Sequence, residues 1–304
     1  MTDQPLVSIL INNYNYGRFL REAIDSALAQ TYSPIEVIVV DDGSTDNSRQ
    51  VIEGYGDRIH AVLKPNGGQA SAFNAGFAAS RGAIVCFLDA DDVLRSHKVA
   101  RVVEILLAEP TLGWCFDVVR QFRAHTQEVS APRPAAKTGR WDARLLVKAG
   151  SPPYVPSATS GLSFRRDILD RILPMPDRIR ITSDAYLKFL ALYLSEGFIV
   201  DEEMTLLRIH DSNAYTERKD NKQRISGRVD VLVAVSLRER CPGLQRLSVK
   251  LFAHGIAKLR RSGKMDAECD RLADEFMQRS SHFLRLQVGV RALLWKIRLG
   301  VSSV

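Results

Sequence analysis

One apolar run ends in three acidic residues within four positions, and this transition constrains the fold more than any other feature of the sequence. The run is Ala83–Leu88, and Asp89, Ala90, Asp91 and Asp92 follow it. Successive apolar residues are typical of a strand buried on both faces, as in a parallel sheet covered by helices. Carboxylates after such a strand lie at the carboxyl edge of the sheet, where open α/β sheets bind ligands.

The acidic residues permit two interpretations. Three neighbouring carboxylates repel one another unless a cation or a hydrogen-bond network offsets them, and a hard divalent cation bridging to phosphate oxygens would do so. Alternatively, they form a strand end and a polar turn before a helix capped by Ser96, with Asp92 interacting with the helix dipole. These residues alone do not decide between the two.

The first hundred residues alternate between strand and helix patterns. We predict strands at Val7–Ile11, Val37–Val40, Ile59–Leu63 and Ala83–Leu88, separated by segments with apolar residues at helical spacing. This alternation, with short connections, predicts an α/β fold with a mainly parallel sheet and helices on both faces. Further strands are predicted at Trp114–Phe116, Ser160–Phe164, Phe198–Val200 and Leu206–Ile209, with an irregular stretch at 124–139.

The pattern changes near Tyr215, after which helical spacing dominates. We therefore predict a first domain at 1–215, which contains the alternating strands and helices. Residues 216–304 are predicted to form a small helical extension. Its end is basic: Arg279, Arg285, Arg291, Lys296 and Arg298 follow the last acidic residue, Glu275, while Leu286, Val290, Leu293 and Ile297 share one helical face. This amphipathic tail suits an anionic membrane surface or packing against protein, and both remain open.

Composition narrows the possible partners. The formal net charge of +7 and the pI of about 9.3 favour anionic partners. Zinc-finger spacing and RNA-binding signatures are absent from the sequence, so nucleic acid is not expected. Cys86 and Cys115 lie in apolar runs and are expected to be reduced core residues. The first residues lack the pattern of a signal peptide, and no apolar segment is long enough to span a membrane. We therefore expect a cytoplasmic protein. Contact with the inner face of the plasma membrane remains open.

A second acidic cluster, Asp41 and Asp42, also follows a predicted strand. Because the carboxyl ends of parallel strands meet at one edge, both clusters should face one cleft. The sequence contains neither G-x-G-x-x-G nor G-x-x-x-x-G-K-[ST], so dinucleotide and P-loop sites lose their main support. Asp41 to Asp46 also lacks the ligand pattern of an EF-hand.

Four segments together resemble the family 2 inverting glycosyltransferases. They are Val7–Tyr14, Glu36–Asp46, Asn74–Gly76 and Gly82–Asp92, in the family's order and register. The resemblance is close over roughly the first 95 residues and looser to about 213. It implies a nucleotide-binding domain of GT-A type that transfers a sugar from a nucleoside diphosphate donor, with inversion and with Mg²⁺ or Mn²⁺. It further implies a hydroxyl acceptor, saccharide or lipid-linked, in bacterial surface polysaccharide or glycoconjugate assembly. On this basis, 1–215 is expected to be the catalytic domain, with nucleotide-sugar binding in 1–95 and the acceptor side in 96–215.

The resemblance assigns donor-binding residues. Asp42 would accept a hydrogen bond from the uracil of a UDP-sugar, since a carboxylate complements an imide N–H. Asp41 is the better candidate for capping the turn. Asn12 and Tyr14 would line the base pocket, with Tyr14 as a core aromatic the alternative. The family's donor-binding loop corresponds to the segment that contains Lys64, Gly68, Gln69 and Asn74. For Lys64 the alternative is a solvated side chain, as is usual for a lysine beside a loop.

The same resemblance assigns a metal site and a base. Asp89 and Asp91 correspond to the family's D-x-D pair around Ala90, Asp91 as direct ligand and Asp89 near the ribose or the metal. His210, in Arg208–Asn213, corresponds to a histidine that approaches the metal or diphosphate. Asp184 corresponds to the catalytic base. Relatives carry a second acidic residue before that base, where this sequence has Ser183, a candidate helix cap.

Two other functions are alternatives to sugar transfer. A sugar nucleotidyltransferase would carry a glycine-rich basic loop after the first strand, but Asn12–Gly17 contains one glycine and no lysine. A nucleotide- or glycan-binding module without activity would have lost the catalytic carboxylates, which are all present here.

Overall fold

The computed structural model describes residues 4–123, 128–130, 138–211, 222–263 and 265–301, with side chains described as far as Leu293. Its strands are β1 (Val7–Asn13), β2 (Ile35–Asp41), β3 (His60–Leu63), β4 (Ile84–Asp89), β5 (Val93–Leu94), β6 (Leu112–Asp117), β7 (Arg120–Arg123), β8 (Glu128–Val129), β9 (Gly139–Trp141), β10 (Leu162–Arg165), β11 (Glu196–Val200) and β12 (Thr205–Ile209). Its helices are α1 (Gly17–Leu28), α2 (Ser48–Glu53), α3 (Gln69–Ala79), α4 (Lys98–Ala108), α5 (Arg144–Lys148), α6 (Arg166–Ile172), α7 (Asp184–Leu194), α8 (Lys222–Arg240), α9 (Gln245–Arg261), α10 (Ala267–Gln278) and α11 (His282–Val301).

The central sheet has the order β3-β2-β1-β4-β10-β6-β11-β9. Strands β3, β2, β1 and β4 are mutually parallel, and β6 is parallel to β11, whereas β10 and β9 run antiparallel to their neighbours. A second sheet has the order β5-β12-β7-β8. The predicted α/β fold with a mainly parallel sheet is therefore confirmed.

Helices cover both faces of the parallel strands. On one face, the buried residues Ile9 and Ile11 of β1 belong to the same core cluster as Leu20 of α1 and Val102 of α4. On the other face, the rings of Phe73 (α3) and Phe87 (β4) lie 4.8 Å apart between centroids, in a T-shaped arrangement. The continuous apolar strands thus have the two-sided burial that their sequence predicts.

Several local predictions need correction. The predicted strands form, but β5, β7, β8 and β9 were missed because they are short and lack an alternating pattern. Ser96 does not cap α4: that position belongs to His97, and the Ser96 carbonyl accepts a hydrogen bond from the Thr31 N–H. Much of the predicted irregular stretch at 124–139 lies outside the described residues.

The chain divides into two compact units, Met1–Arg144 with Tyr154–Asp211, and Leu145–Pro153 with Ser212–Val304. The domain boundary predicted near Tyr215 lies outside the described residues. In the second unit, Gly227 of α8 faces Gly255 of α9, where an added Cβ would lie 2.7 Å from the Gly227 carbonyl oxygen. The rings of Phe252 and Phe276 stack with centroids 3.9 Å apart and join α9 to α10.

No helix in the described part of the chain is long and apolar enough to cross a membrane.

Candidate functional site

The ends of β1, β2 and β4 bring the polar residues of three chain segments together. In the parallel register, Asn12 lies opposite Asp89 and Asn13 lies opposite Asp41. The Asn12 amide donates to Oδ1 of Asp89 at 2.9 Å, and the Asn13 amide donates to Oδ1 of Asp41 at the same distance. Both acidic clusters therefore lie at one sheet edge, as the sequence predicts.

Asp41 organises the turn after β2. It is fully buried, and its Oδ2 accepts a hydrogen bond from the backbone N–H of Ser44 at 3.2 Å. This is the turn-capping role expected of Asp41. Tyr14 is 47% exposed, so the core alternative is wrong, and its role in a base pocket stays a prediction.

Asp42 holds the loop that precedes α3. Its Oδ1 accepts hydrogen bonds from Nζ of Lys64 at 2.6 Å and from the Gly67 N–H at 2.9 Å, and its Oδ2 accepts one from the Gly68 N–H at 2.7 Å. The Lys64 side chain is 19% exposed, so the expectation of a solvated lysine is wrong. A carboxylate offers about four lone-pair positions, and three of those on Asp42 are occupied.

Glycine is required at the end of this loop. Gly68 has φ +87°, and a Cβ there would lie 2.8 Å from Cα of Arg180. The backbone N–H of Gln69 also donates to the Arg180 carbonyl at 2.8 Å. The predicted donor-binding loop is thereby tied to the segment that leads to Asp184.

Asp89 is held by neutral donors at an electrostatically unfavourable position. It accepts from Asn12, and from the Gln69 amide at 3.3 Å. Burial, and then the charge of Asp91, raises the pKa of Asp89 to about 7, and the charge of Asp184 adds to this rise. A cation beside the cluster would therefore stabilise the ionised form of Asp89.

Asp91 pairs with His210 across 119 positions of the sequence. Nε2 of the imidazole lies 3.0 Å from Oδ2 of Asp91, and both side chains are mostly buried. The imidazole packs on Phe19, with ring centroids 4.4 Å apart. The structure thus brings together the two residues that the resemblance places nearest the metal.

Asp92 does not have the predicted role. It is 2% exposed, it precedes β5 rather than a helix, and its Oδ2 accepts a 2.5 Å hydrogen bond from Oγ of Ser160. Its Oδ1 accepts from the Arg208 backbone N–H at 2.9 Å. Burial and the charges of Asp91 and Asp89 raise its pKa well above the usual value. Asp92 therefore joins the acidic loop, residues 89–92, to β12 and to the segment before β10.

Ser160 and a buried lysine support this loop from behind. Oγ of Ser160 also accepts from the Asp89 N–H at 3.0 Å. Nζ of Lys98 donates to the Ser160 carbonyl, to Oδ1 of Asp117 at 2.7 Å and to Oγ1 of Thr205 at 2.8 Å, and the Lys98 and Asp117 side chains are fully buried. The sequence pattern does not reveal this network, because a lysine at the start of a helix usually extends into solvent.

Gln69 connects the acidic loop to Asp184. Its Nε2 donates to Asp89, while its Oε1 accepts from the Ser183 N–H at 2.9 Å. Asp184 opens α7 as predicted, and its Oδ2 lies 2.7 Å from Nζ of Lys188. Ser183 occupies the cap position, but its hydroxyl donates to the Ile179 carbonyl, so the predicted side-chain cap does not form.

The remaining two predicted donor-binding residues, Asn74 and Ala90, make hydrogen bonds with the backbone of other segments. The Asn74 amide exchanges hydrogen bonds with the backbone of Met175, accepting from its N–H and donating to its carbonyl, both at 2.8 Å. It therefore supports the backbone at Met175, and its place in a donor-binding loop stays a prediction. Ala90 is buried, and its N–H donates to the Asn12 carbonyl at 3.2 Å.

No group of three or more His, Cys, Asp or Glu side chains in the described part of the chain has the arrangement of a metal site. The residues nevertheless suit a divalent cation that takes most of its ligands from a bound diphosphate. Asp91 offers a hard oxygen, and a cation would offset the burial and the Asp91 charge that together raise the pKa of Asp89.

The sequence is similar to a known protein family and to several of its members. Residues 8–173 match the model of the family described as Glycosyl transferase family 2. An uncharacterized glycosyltransferase of Nostoc sp. (strain PCC 7120) is 39% identical over 214 residues, which cover 68% of this chain and 66% of the relative. Chondroitin synthase of Pasteurella multocida is 40% identical over 119 residues, covering 38% of this chain and 12% of that enzyme.

Solved structures share the fold. S. aureus TarS 1-349 in complex with UDP-GlcNAc superposes with a TM-score of 0.64 at 15% identity, covering 97% of this chain and 92% of that one. The mannosyltransferase PcManGT from Pyrobaculum calidifontis, in complex with GDP-Man and Mn²⁺, has a TM-score of 0.55 at 18% identity, covering 99% and 87%.

Proposed function

Because the chain belongs to glycosyltransferase family 2, we propose that it transfers a sugar from a UDP-sugar to a hydroxyl acceptor, with inversion and with Mg²⁺ or Mn²⁺. One observation carries this proposal: Gln69 joins Asp89, on the donor side, to the helix start that bears Asp184. Asp184 is also close enough to raise the pKa of Asp89. A candidate base therefore lies beside the candidate diphosphate site.

On the donor side, the base would lie against Asn12, Tyr14 and Asp42. Three lone-pair positions of Asp42 are occupied, and the one remaining on Oδ2 can accept the uracil imide N–H. Oδ1 of Asn12 is buried and has no hydrogen-bond partner in the described part of the chain, so it is a further acceptor for the nucleoside. A nucleotide-sugar donor also agrees with the ligands of the two structures of similar fold.

At the diphosphate, Asp91 would hold the cation, with His210 and Asp89 beside it. A bound Mg²⁺ or Mn²⁺ would supply Lewis-acid stabilisation of the leaving diphosphate. The contribution of His210 is to fix Oδ2 of Asp91, and the Phe19 ring limits the movement of the imidazole. Asn12 and Gln69 both donate to Oδ1 of Asp89 and so restrict the movement of this carboxylate.

On the acceptor side, Asp184 would take the proton of the acceptor hydroxyl as its oxygen attacks the anomeric carbon. Lys188 fixes Oδ2 of Asp184, and Nζ of Lys188 also donates to the Ser157 carbonyl at 2.9 Å. Oδ1 is therefore the oxygen proposed to receive the proton. We propose a saccharide or lipid-linked acceptor in surface polysaccharide or glycoconjugate synthesis, acting in the cytoplasm.

A donor panel tests the proposal. The full chain is incubated with UDP-sugars and with GDP-mannose, with and without Mn²⁺, and the release of nucleoside diphosphate is measured. We expect Mn²⁺-dependent release of UDP from at least one donor, its absence in the Asp89→Ala/Asp91→Ala double variant, and its persistence in Asp57→Ala, an exposed control. UDP binding without release from any donor would support a binding module instead, and release of pyrophosphate from a sugar phosphate and UTP would support a nucleotidyltransferase.

A further inference from the structure

Helix α11 has one buried face and one exposed apolar face. Leu284 and Val288 are 8% and 4% exposed, and this side of the helix packs within the second unit, where α11 contacts α9. Phe283, Leu286, Val290 and Leu293 are 69%, 66%, 49% and 59% exposed. We name these four residues the α11 stripe. The burial of Leu284 and Val288 already accounts for the packing of the helix, so the α11 stripe needs another explanation.

The α11 stripe is continuous along the helix. At about 100° per residue, its four side chains fall within an arc of about 80°. In the sequence, Ile297 continues the same face, and the α11 backbone remains helical to Val301. Among the described side chains, the stripe therefore presents a narrow apolar surface from Phe283 to Leu293 of this 20-residue helix.

The charges beside the α11 stripe are of one sign. By helical position, Arg285 flanks one side and Arg291 the other, and in the sequence Lys296 and Arg298 extend the same two flanks. Nε of Arg285 donates to the carbonyls of Met277 and Ser280, so this side chain also anchors α11 to the end of α10. The sequence contains no acidic residue after Glu275 to offset these charges.

We propose that the α11 stripe inserts into the interface of a membrane that contains anionic phospholipids, with α11 lying parallel to the surface. An apolar face flanked by basic side chains matches acyl chains below and anionic headgroups above. Each basic residue near an anionic leaflet adds electrostatic attraction to the headgroups, and salt screens this attraction.

A second copy of the chain is a less suitable occupant. Pairing two α11 stripes about a two-fold axis would bring two basic flanks together, and α11 has no acidic residue to compensate them. Charge complementarity therefore selects the lipid surface. This inference does not depend on the proposed sugar transfer, since it rests on the second unit alone.

The test is sedimentation of the full chain with sucrose-loaded vesicles of phosphatidylcholine, with and without about 30 mol% phosphatidylglycerol. We expect binding to the anionic vesicles, weakening as salt is raised, and little binding to pure phosphatidylcholine. The variant Leu286→Gln/Leu293→Gln should lose about tenfold or more in partitioning, because two leucine side chains no longer enter the apolar layer. Both leucines are exposed, so the fold should survive.

A matched control and a charge variant complete the experiment. Leu107→Gln replaces a leucine of α4 that is 50% exposed, and it should bind vesicles as the parent does. Arg291→Glu should weaken binding to anionic vesicles without affecting circular dichroism. Equal binding by the parent and the double variant, or an equal loss in Leu107→Gln, would overturn the proposal. A concentration-dependent dimer that the double variant abolishes, without vesicle binding by the parent, would assign the stripe to self-association.

Discussion

Nε2 of His210 lies 3.0 Å from Oδ2 of Asp91, so the residue that directly follows β12 contacts the acidic loop after β4. Two further contacts make this a fixed relationship. Nε of Arg208 donates to the Asp91 carbonyl at 2.8 Å, and the Arg208 N–H donates to Asp92. Strand β12 therefore positions both the backbone and the carboxylates of the loop. Replacing Asp91 should consequently affect the proposed metal site without disturbing the sheet.

The first prediction is that Asp91→Ala removes the stabilisation that Mn²⁺ gives to the UDP complex. The proposed site has few protein ligands, so the loss of one hard oxygen should remove most of the affinity for the cation. Thermal unfolding with UDP, with and without Mn²⁺, measures this. Asp57→Ala is the control, and normal stabilisation by Mn²⁺ in Asp91→Ala would remove Asp91 from the metal site.

The second prediction concerns pH and Asp89, whose pKa is raised to about 7 by burial and the charge of Asp91. In the unfolded chain the carboxyl has its ordinary pKa near 4, so between these values the folded state binds more protons. The metal-free protein therefore loses stability from this group as pH rises through that window. Asp89→Asn removes the titration, so its stability relative to the parent should increase with pH.

We expect the free energy of unfolding of Asp89→Asn, relative to that of the parent, to increase by about 2 kcal/mol between about pH 5 and about pH 8. This is less than the full pKa shift would give, because Asp89 retains some solvent contact. Urea unfolding of both proteins without metal gives the difference. Asp57→Asn should show no such trend. A parent-to-variant difference that is independent of pH would contradict the raised pKa.

The sequence predicts the parallel half of the fold well because continuous apolar strands and helical spacing are local signals. It also predicts that Asp41, Asp42, Asp89 and Asp91 share one edge, which the register of β1 with β2 and β4 confirms. The contacts that support this edge join distant segments, such as Lys98 with Asp117 and Thr205. Lysine, aspartate and threonine are also common on exposed surfaces, so sequence patterns do not reveal these buried contacts.

Two polar side chains illustrate the same limit. Ser183 fits the pattern of a helix cap, but its hydroxyl bonds to the Ile179 carbonyl instead. The Asn74 amide bonds to the backbone of Met175, 101 positions away in the sequence. In both cases a polar side chain found a backbone partner in the tertiary structure, which local sequence does not specify.

The third prediction concerns Thr182, which has φ +54° and precedes the helix that bears Asp184. A β-branched residue in this region is strained by about 1–2 kcal/mol. Its Oγ1 is also buried without a hydrogen-bond partner in the described part of the chain. Thr182→Gly should therefore raise the free energy of unfolding by about 1 kcal/mol, while greater freedom before Asp184 lowers the transfer rate.

Asn15 provides the matched contrast, because it has φ +58° but uses its side chain. Oδ1 of Asn15 accepts from the Thr45 N–H at 2.7 Å, so Asn15→Gly should destabilise the protein. Urea unfolding of the two variants compares them. A loss of stability in Thr182→Gly as large as that in Asn15→Gly would show that position 182 is not strained.

The last prediction is that Asp184→Asn lowers sugar transfer by about 10²-fold or more, because an amide cannot accept the proton of the acceptor hydroxyl. UDP and Mn²⁺ binding should persist, since the asparagine retains the shape of the side chain and Gln69 still holds the Ser183 N–H. The alternative role is a first-turn acid that stabilises α7 through the helix dipole by about 0.3–1 kcal/mol.

Two measurements separate these roles. If Asp184 acts through the helix dipole alone, Asp184→Asn should lower the free energy of unfolding by a fraction of a kcal/mol and leave the rate at saturating donor and acceptor nearly unchanged. If Asp184 is the base, kcat falls while the KM for the donor changes little, because the lost interaction acts in the transition state. Lys188→Met keeps the carboxylate but removes the ammonium 2.7 Å from its Oδ2. It should lower kcat less than Asp184→Asn does, and a transfer rate of Asp184→Asn within a few-fold of the parent would exclude Asp184 as the base.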